Sequence, residues 1–105
     1  MIEVRYDRGV YLPACDHLWL DPRGTRPFAF ISHAHSDHTG HHQRTILTDA
    51  TARFMRARMG SSGKVQHVLK YGEEREFGSF RAILLPAGHV LGSAQVLIEQ
   101  GGDRL

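Results

Sequence analysis

In Phe28-Ala29-Phe30-Ile31-Ser32-His33-Ala34-His35-Ser36-Asp37-His38 an apolar run passes within one residue into a cluster of three histidines and an aspartate. Four apolar residues in a row, two of them aromatic, suit a buried strand, so the cluster falls where a strand ends. Successive side chains of an extended segment point to opposite sides. His33 and His35 therefore share a side and can hold one cation between two imidazoles. Asp37 and His38 follow two and three residues later, placed to turn toward a neighbouring cation. Imidazole nitrogen with carboxylate oxygen suits zinc, manganese, iron or nickel better than calcium or magnesium. With no thiolate in the cluster the identity of the metal stays open. The plainer alternative is a solvated histidine-rich loop.

A second stretch repeats the arrangement. Ile83-Leu84-Leu85-Pro86 reads as a buried strand and leads at once into Ala87-Gly88-His89-Val90-Leu91-Gly92-Ser93-Ala94. Gly88 and Gly92 allow the backbone to turn tightly and to approach a ligand closely. His89 can then supply a third imidazole to the first metal. Three protein ligands with water in the fourth place is the open arrangement of a catalytic zinc site, unlike a closed structural one.

The two motifs, in this order, resemble the metallo-beta-lactamase superfamily of metal-dependent hydrolases. Pro86-Ala87-Gly88-His89-Val90-Leu91-Gly92-Ser93-Ala94-Gln95 is most similar to its nucleic-acid-processing branch, the messenger-RNA 3′-end processing nucleases and the exonucleases associated with bacterial DNA ligases. The opening, Tyr6-Asp7-Arg8-Gly9-Val10-Tyr11-Leu12 through Leu20-Asp21-Pro22, also resembles the start of the ligase-associated exonucleases. The resemblance is strong over 28–40 and 83–96 and loose elsewhere.

It implies an α/β fold, the N-terminal part of an αββα sandwich in which a mixed sheet carries flanking helices. It assigns His33, His35 and His89 to one metal and Asp37 and His38 to a second, with Zn2+ as the expected ion and Mn2+ as the other candidate. The implied activity is phosphodiester hydrolysis of RNA or DNA by a metal-activated water, with Asp37 as the catalytic carboxylate that orients it. Nucleic acid is the implied substrate, and a DNA ligase or helicase the implied associate. A thioester or lactone hydrolase of the same superfamily and an inactive metal-binding fragment are the alternatives. The superfamily completes its site with a bridging aspartate and a later histidine, neither of which can be assigned here. Gln95-Val96-Leu97-Ile98-Glu99 reads as a strand, Gln100-Gly101-Gly102-Asp103 as a hairpin turn and Arg104-Leu105 as the start of a returning strand. These 105 residues are accordingly expected to be a truncated piece of a longer enzyme. On that reading site one forms, site two binds weakly, and one apolar sheet face stays uncovered, which favours aggregation of the isolated chain.

Elsewhere, periodicity predicts short strands near 2–6, 9–12 and 17–20, a turn at Asp21-Pro22-Arg23-Gly24, and a brief strand at Thr45-Ile46-Leu47. Thr48 or Asp49 can cap a helix that runs through Met59 and closes at Gly60, with Phe54, Met55 and Met59 as its apolar side. After Ser61-Ser62-Gly63, a flexible connection, strands are expected near 65–69, 74–77 and 79–85. Lone Cys15 cannot form an internal disulfide and reads as a buried side chain, in keeping with a reducing compartment. His41 and His42 are expected on the surface, on a short helix from Asp37. His17 and His67 read as structural strand residues, and Trp19 as core. Arg53, Arg56 and Arg58, with Arg44, form the one basic concentration, read first as a solvated helix face and second as a nucleic-acid track. A formal charge of +2 is compatible with phosphate-rich partners without requiring them. No run approaches the roughly 20 apolar residues of a membrane span and no basic-then-apolar signal opens the chain, so a cytoplasmic location is expected.

Overall fold

The computed structural model describes residues 2–22, 24–32, 42–59, 65–87 and 93–105, with backbone alone for 57–59. Backbone pairing divides the strands between two sheets. The first sheet takes strands in chain order: β1 (Arg5–Tyr6), β2 (Val10–Leu12), β3 (Leu18–Leu20), β4 (Phe28–Phe30), β5 (Arg44–Leu47) and β6 (Val65–Val68). The pairs β1–β2 and β2–β3 are antiparallel, and from β3 to β6 every pair is parallel. A parallel return needs a crossover, which between β5 and β6 is the helix α1 (Asp49–Met59). The second sheet is wholly antiparallel: β7 (Glu74–Glu76), β8 (Arg81–Pro86), β9 (Ala94–Gln100) and β10 (Asp103–Arg104), in the order β10-β9-β8-β7. Gly101 and Gly102 join its last two strands with φ values of 57° and 89°, the positive pair that a two-residue type I′ hairpin requires.

One core fills the space between the sheets. Leu12, Leu18, Phe28, Phe30 and Ile46 from the first sheet share a buried cluster with Ala82, Leu84, Ala94 and Ile98 from the second and with Cys15 and Phe80. The opposite face of the first sheet presents Ala29, Ile31 and Leu47 to Ala52 and Met55 of α1. The result is an α/β architecture in three layers, helix, mixed sheet and antiparallel sheet, with one helix among the described residues. Buried Ala82 and Leu84 alternate with Ile83 and Leu85 on β8, which puts the latter pair on the outer face of the second sheet. Leu85 is 40% exposed there.

Where side chains depart from expectation, a local cause is visible. Phe54 is 48% exposed, because the helix buries Thr51, Ala52 and Met55 instead; Arg58 and Met59 side chains, Gly60 and Ser61-Ser62-Gly63 lie outside the described residues. Thr48 is the cap, its Oγ1 accepting the Thr51 N–H at 3.3 Å. His17 leaves the strand: with Asp16 it takes positive φ in the turn before β3, is exposed, and stacks on Tyr11 at 5.9 Å. Tyr11 in turn stacks on Trp19 at 4.6 Å, and the Arg26 guanidinium covers Trp19 at 4.1 Å. This row leaves Trp19 half-buried rather than fully in the core. Gly9, at φ 149°, passes so close that a Cβ there would meet the Trp19 ring at 3.2 Å. His67 does sit in β6, edge-on to Phe77 at 5.1 Å. Cys15 is fully buried, and burial pushes its thiol up from the ordinary value, so it is a core side chain and a poor source of thiolate.

Candidate metal centre

Parallel strands with crossovers leave a crevice beyond their carboxyl ends, where loops from neighbouring strands converge. In the first sheet those ends are Leu20-Asp21, Phe30-Ile31-Ser32, Leu47-Thr48 and Val68-Leu69. The predicted ligands His33, His35, Asp37, His38 and His89 lie outside the described residues, as do His41, Gly88 and Gly92. What the structure describes is the scaffold on which their segments begin and end.

Ser32 ends the first apolar strand and precedes the histidine cluster. Its N–H donates to Asp21 Oδ1 at 2.7 Å, while the Asp21 N–H donates to the Phe30 carbonyl at 2.9 Å. Asp21 bends away from β3 at φ 46°, a left-handed conformation that Asp tolerates better than most residues. Its carboxylate thereby holds the mouth of the first segment. The same Ser32 carbonyl accepts the Ala94 N–H at 2.8 Å. Ala94, at the end of the second motif, opens β9, so a single backbone bond ties the start of one histidine segment to the end of the other, across the two sheets. At the far end of the second motif, Ala87 N–H reaches the Ser93 carbonyl at 3.3 Å, and the Tyr71 hydroxyl donates to that carbonyl at 2.7 Å.

The first segment is held at its other end by His42. Against the expectation of a surface histidine, His42 is 2% exposed and its Nδ1 accepts the Arg26 N–H at 2.9 Å. The chain entering β4 carries a backbone donor at that point, and the imidazole satisfies it where β5 begins. His42 is thus an anchor. Beside these anchors, Thr48, Asp49, Val68, Lys70, Tyr71 and Arg75 line an open groove of about 600 Å³ at the carboxyl ends of β5 and β6. In it the Lys70 backbone N–H, and then Arg75, hold the Glu73 carboxyl below the usual carboxylate range. Among the described residues no three His, Cys, Asp or Glu side chains gather to hold a metal.

Arg53 and Arg44, two of the four residues of the basic concentration, each pair with a carboxylate of their own. Arg53 pairs with Asp49 at 2.9 Å along the helix, whereas Arg44 lies over Phe28 on the inter-sheet side and pairs with Asp16 at 3.2 Å. The contacts of Asp21 with the Ser32 N–H and of Tyr71 with the Ser93 carbonyl differ in how far the sequence marks them. An Asp-Pro step after an apolar strand is a signal for an aspartate that accepts a backbone N–H, but nothing local marks Tyr71, whose partner is 22 residues away.

No family model matches the chain. A probable DNA ligase of Opitutus terrae is 40% identical to it over 100 residues. The match takes in 94% of this chain, and with it both histidine-bearing segments, but only 10% of the ligase. The chain spans about a tenth of the length of this curated relative. No helix among the described residues is long and apolar enough to cross a membrane.

Proposed function

We propose that this chain supplies the metal-binding part of a DNA-acting hydrolase that cleaves phosphodiester bonds. The observation that carries the reading is the 2.8 Å bond from Ala94 N–H to the Ser32 carbonyl. It brings together, at the carboxyl edge of a parallel sheet, the feet of two segments distant in sequence, one with three histidines and an aspartate and the other with His89. Four imidazoles and a carboxylate are the donor chemistry of zinc, with manganese as the alternative. His33, His35 and His89 would hold one ion, and Asp37 and His38 a second. When bound, such ions activate water and stabilise the charge that develops on phosphoryl oxygens. The protein's part is to fix the donors: Asp21 and His42 hold the two ends of the first segment, and Ser32, Ala87, Ser93 and Tyr71 those of the second. Asp37 would accept a hydrogen bond from the attacking water and orient it. The name of the 40% identical relative supports DNA as the polymer.

The test is hydrolysis of end-labelled single- and double-stranded DNA by the complete protein with Zn2+ or Mn2+, alongside metal analysis. His35→Ala and Asp37→Ala are each expected to lower turnover at least a hundredfold with the fold retained. Wild-type turnover in both would end the metal-centred account. For the 105-residue chain alone, one tightly held ion is expected, and two would overturn the assignment of a weak second site.

A further inference from the structure

We propose that His17, Tyr11 and Trp19, with Arg5 and Arg26 beside them, form a stacking surface for an unpaired DNA base, the open face of the His17 imidazole being the point of contact. The proposal rests on the reading of DNA as the polymer and on no metal ligand.

Strand register builds the surface. In the first sheet Arg5 of β1 lies opposite Tyr11 of β2, and Tyr11 opposite Trp19 of β3, so the three side chains share a face. Their neighbours Leu12 and Leu18 are buried between the sheets, which puts Arg5, Tyr11 and Trp19 on the other side, the one on which α1 packs farther along. His17, two residues before Trp19, brings its ring to the same place. It lies nearly parallel to Tyr11, with 13° between the planes and 5.9 Å between centroids, and Trp19 lies on Tyr11 at 26° and 4.6 Å. The Arg26 guanidinium rests on Trp19 at 4.1 Å. Aromatic planes set among cations suit single strands of any sequence, because every base offers a π face.

His17 is the member that the fold itself does not require. It and Asp16 hold φ values of 54° and 59°, a left-handed backbone that glycine adopts at less cost. The residue is exposed, so burial does not offset that cost. A ring has two faces and Tyr11 covers one; among the described residues His17 makes no other ring contact. Its second face is therefore held ready on a fixed mount, where a base stacks with little ordering of the protein. Charge at the same surface suits a polyanion. Arg5 pairs with Glu3 at 2.5 Å, and Arg44 pairs with Asp16, the neighbour of His17, at 3.2 Å. All four side chains are exposed to water, and such pairs are weak, so phosphates of a strand whose base lies on His17 can share the guanidiniums.

The experiment compares two labelled strands of equal length, oligothymidine and its abasic counterpart, binding to the complete protein in chelator so that neither is cut. Affinity is read by fluorescence anisotropy and fold by the unfolding midpoint. The wild type is expected to bind oligothymidine about tenfold more tightly than the abasic strand. His17→Asn and His17→Gly both suit a positive φ and remove the ring. Each is expected to bind the two strands alike, at the wild-type affinity for the abasic one and with a midpoint near that of the wild type. A preference for oligothymidine retained in both variants would overturn the proposal, and so would a wild type that does not distinguish the strands. Loss of abasic binding in both variants marks a structural residue and would overturn it as well. A wild type that binds neither strand removes the DNA reading together with the stacking surface, whereas one that cuts DNA yet ignores the bases removes the stacking surface alone.

Discussion

Replacing Asp21 tests how the scaffold holds the first histidine segment. Its Oδ1 takes the Ser32 N–H at 2.7 Å, a charge-assisted bond from a half-buried carboxylate. Hydrogen bonds to charged groups contribute about 1.5–3 kcal/mol, and partial exposure places this one near the lower end. Alanine at φ 46° adds about 1 kcal/mol of backbone strain that aspartate relieves. Asp21→Ala is thus expected to cost about 2.5 kcal/mol, which in a domain of this size lowers the melting temperature by about 10–20 °C. Asp21→Asn keeps an acceptor and tolerates the left-handed backbone, so its cost should stay below about 1 kcal/mol. The single tryptophan, Trp19, lies two residues away, and its fluorescence during urea unfolding reports the loss. The Ser32 amide proton should also exchange faster with solvent in Asp21→Ala. The reasoning is refuted if Asp21→Ala lies within about 0.5 kcal/mol of the wild type, or if Asp21→Asn costs as much as Asp21→Ala.

Two further outcomes follow from the fold. Burial, and then Arg44 and Arg75, hold His67 below the ordinary imidazole value of 6.5, so the unfolded chain takes up this proton more readily than the folded one; stability should be full above that value and fall as pH drops below it, by at most about 1.4 kcal/mol per pH unit for one proton. Urea midpoints at pH 7.5 and 5.5 measure the drop, and His67→Phe, which suits the Phe28 and Phe77 neighbourhood, should shrink it; an identical drop in the variant would assign the effect elsewhere. Leu84→Ala should cost about 2–5 kcal/mol, as for a fully buried side chain, and Leu85→Ala, on the outer face, under about 1 kcal/mol; comparable losses in chemical denaturation would contradict the assignment of the two faces of β8.

The strands and the helix were largely legible because their signals are local. Ile83-Leu84-Leu85-Pro86 announces a strand, Gly101-Gly102 announces the turn after the next one, and Thr48 with the following residues announces a helix start. What local signals cannot carry is the division into two sheets, since nothing within a strand says which neighbour it pairs with. The same limit explains the misread side chains. Phe54 is a core residue by type, yet the helix settles on the sheet through Thr51, Ala52 and Met55. His42 looked like the tail of a solvated cluster, but its burial depends on Arg26 N–H, a partner supplied by the chain entering β4. Tyr71 and Asp21 act on residues that only the tertiary arrangement brings within reach.

Those anchors explain why a site would be built at this edge rather than elsewhere on the fold. A bound cation demands donors fixed within a few tenths of an ångström, and loops alone do not hold side chains so closely. Here each histidine segment is fastened where it leaves regular structure, and the fastening bonds run between layers: Asp21 joins neighbouring strands, Ser32 to Ala94 joins the two sheets, and Tyr71 joins the turn after β6 to the start of β9. The two sheets pack through a single apolar core, so sliding one against the other would break both the core and the Ser32–Ala94 bond. Any ion gripped by donors from both segments would resist the same sliding. On the proposed reading, metal affinity and sheet packing would be one equilibrium: whatever loosens the sheets would weaken the grip, and a gripped ion would hold the sheets together.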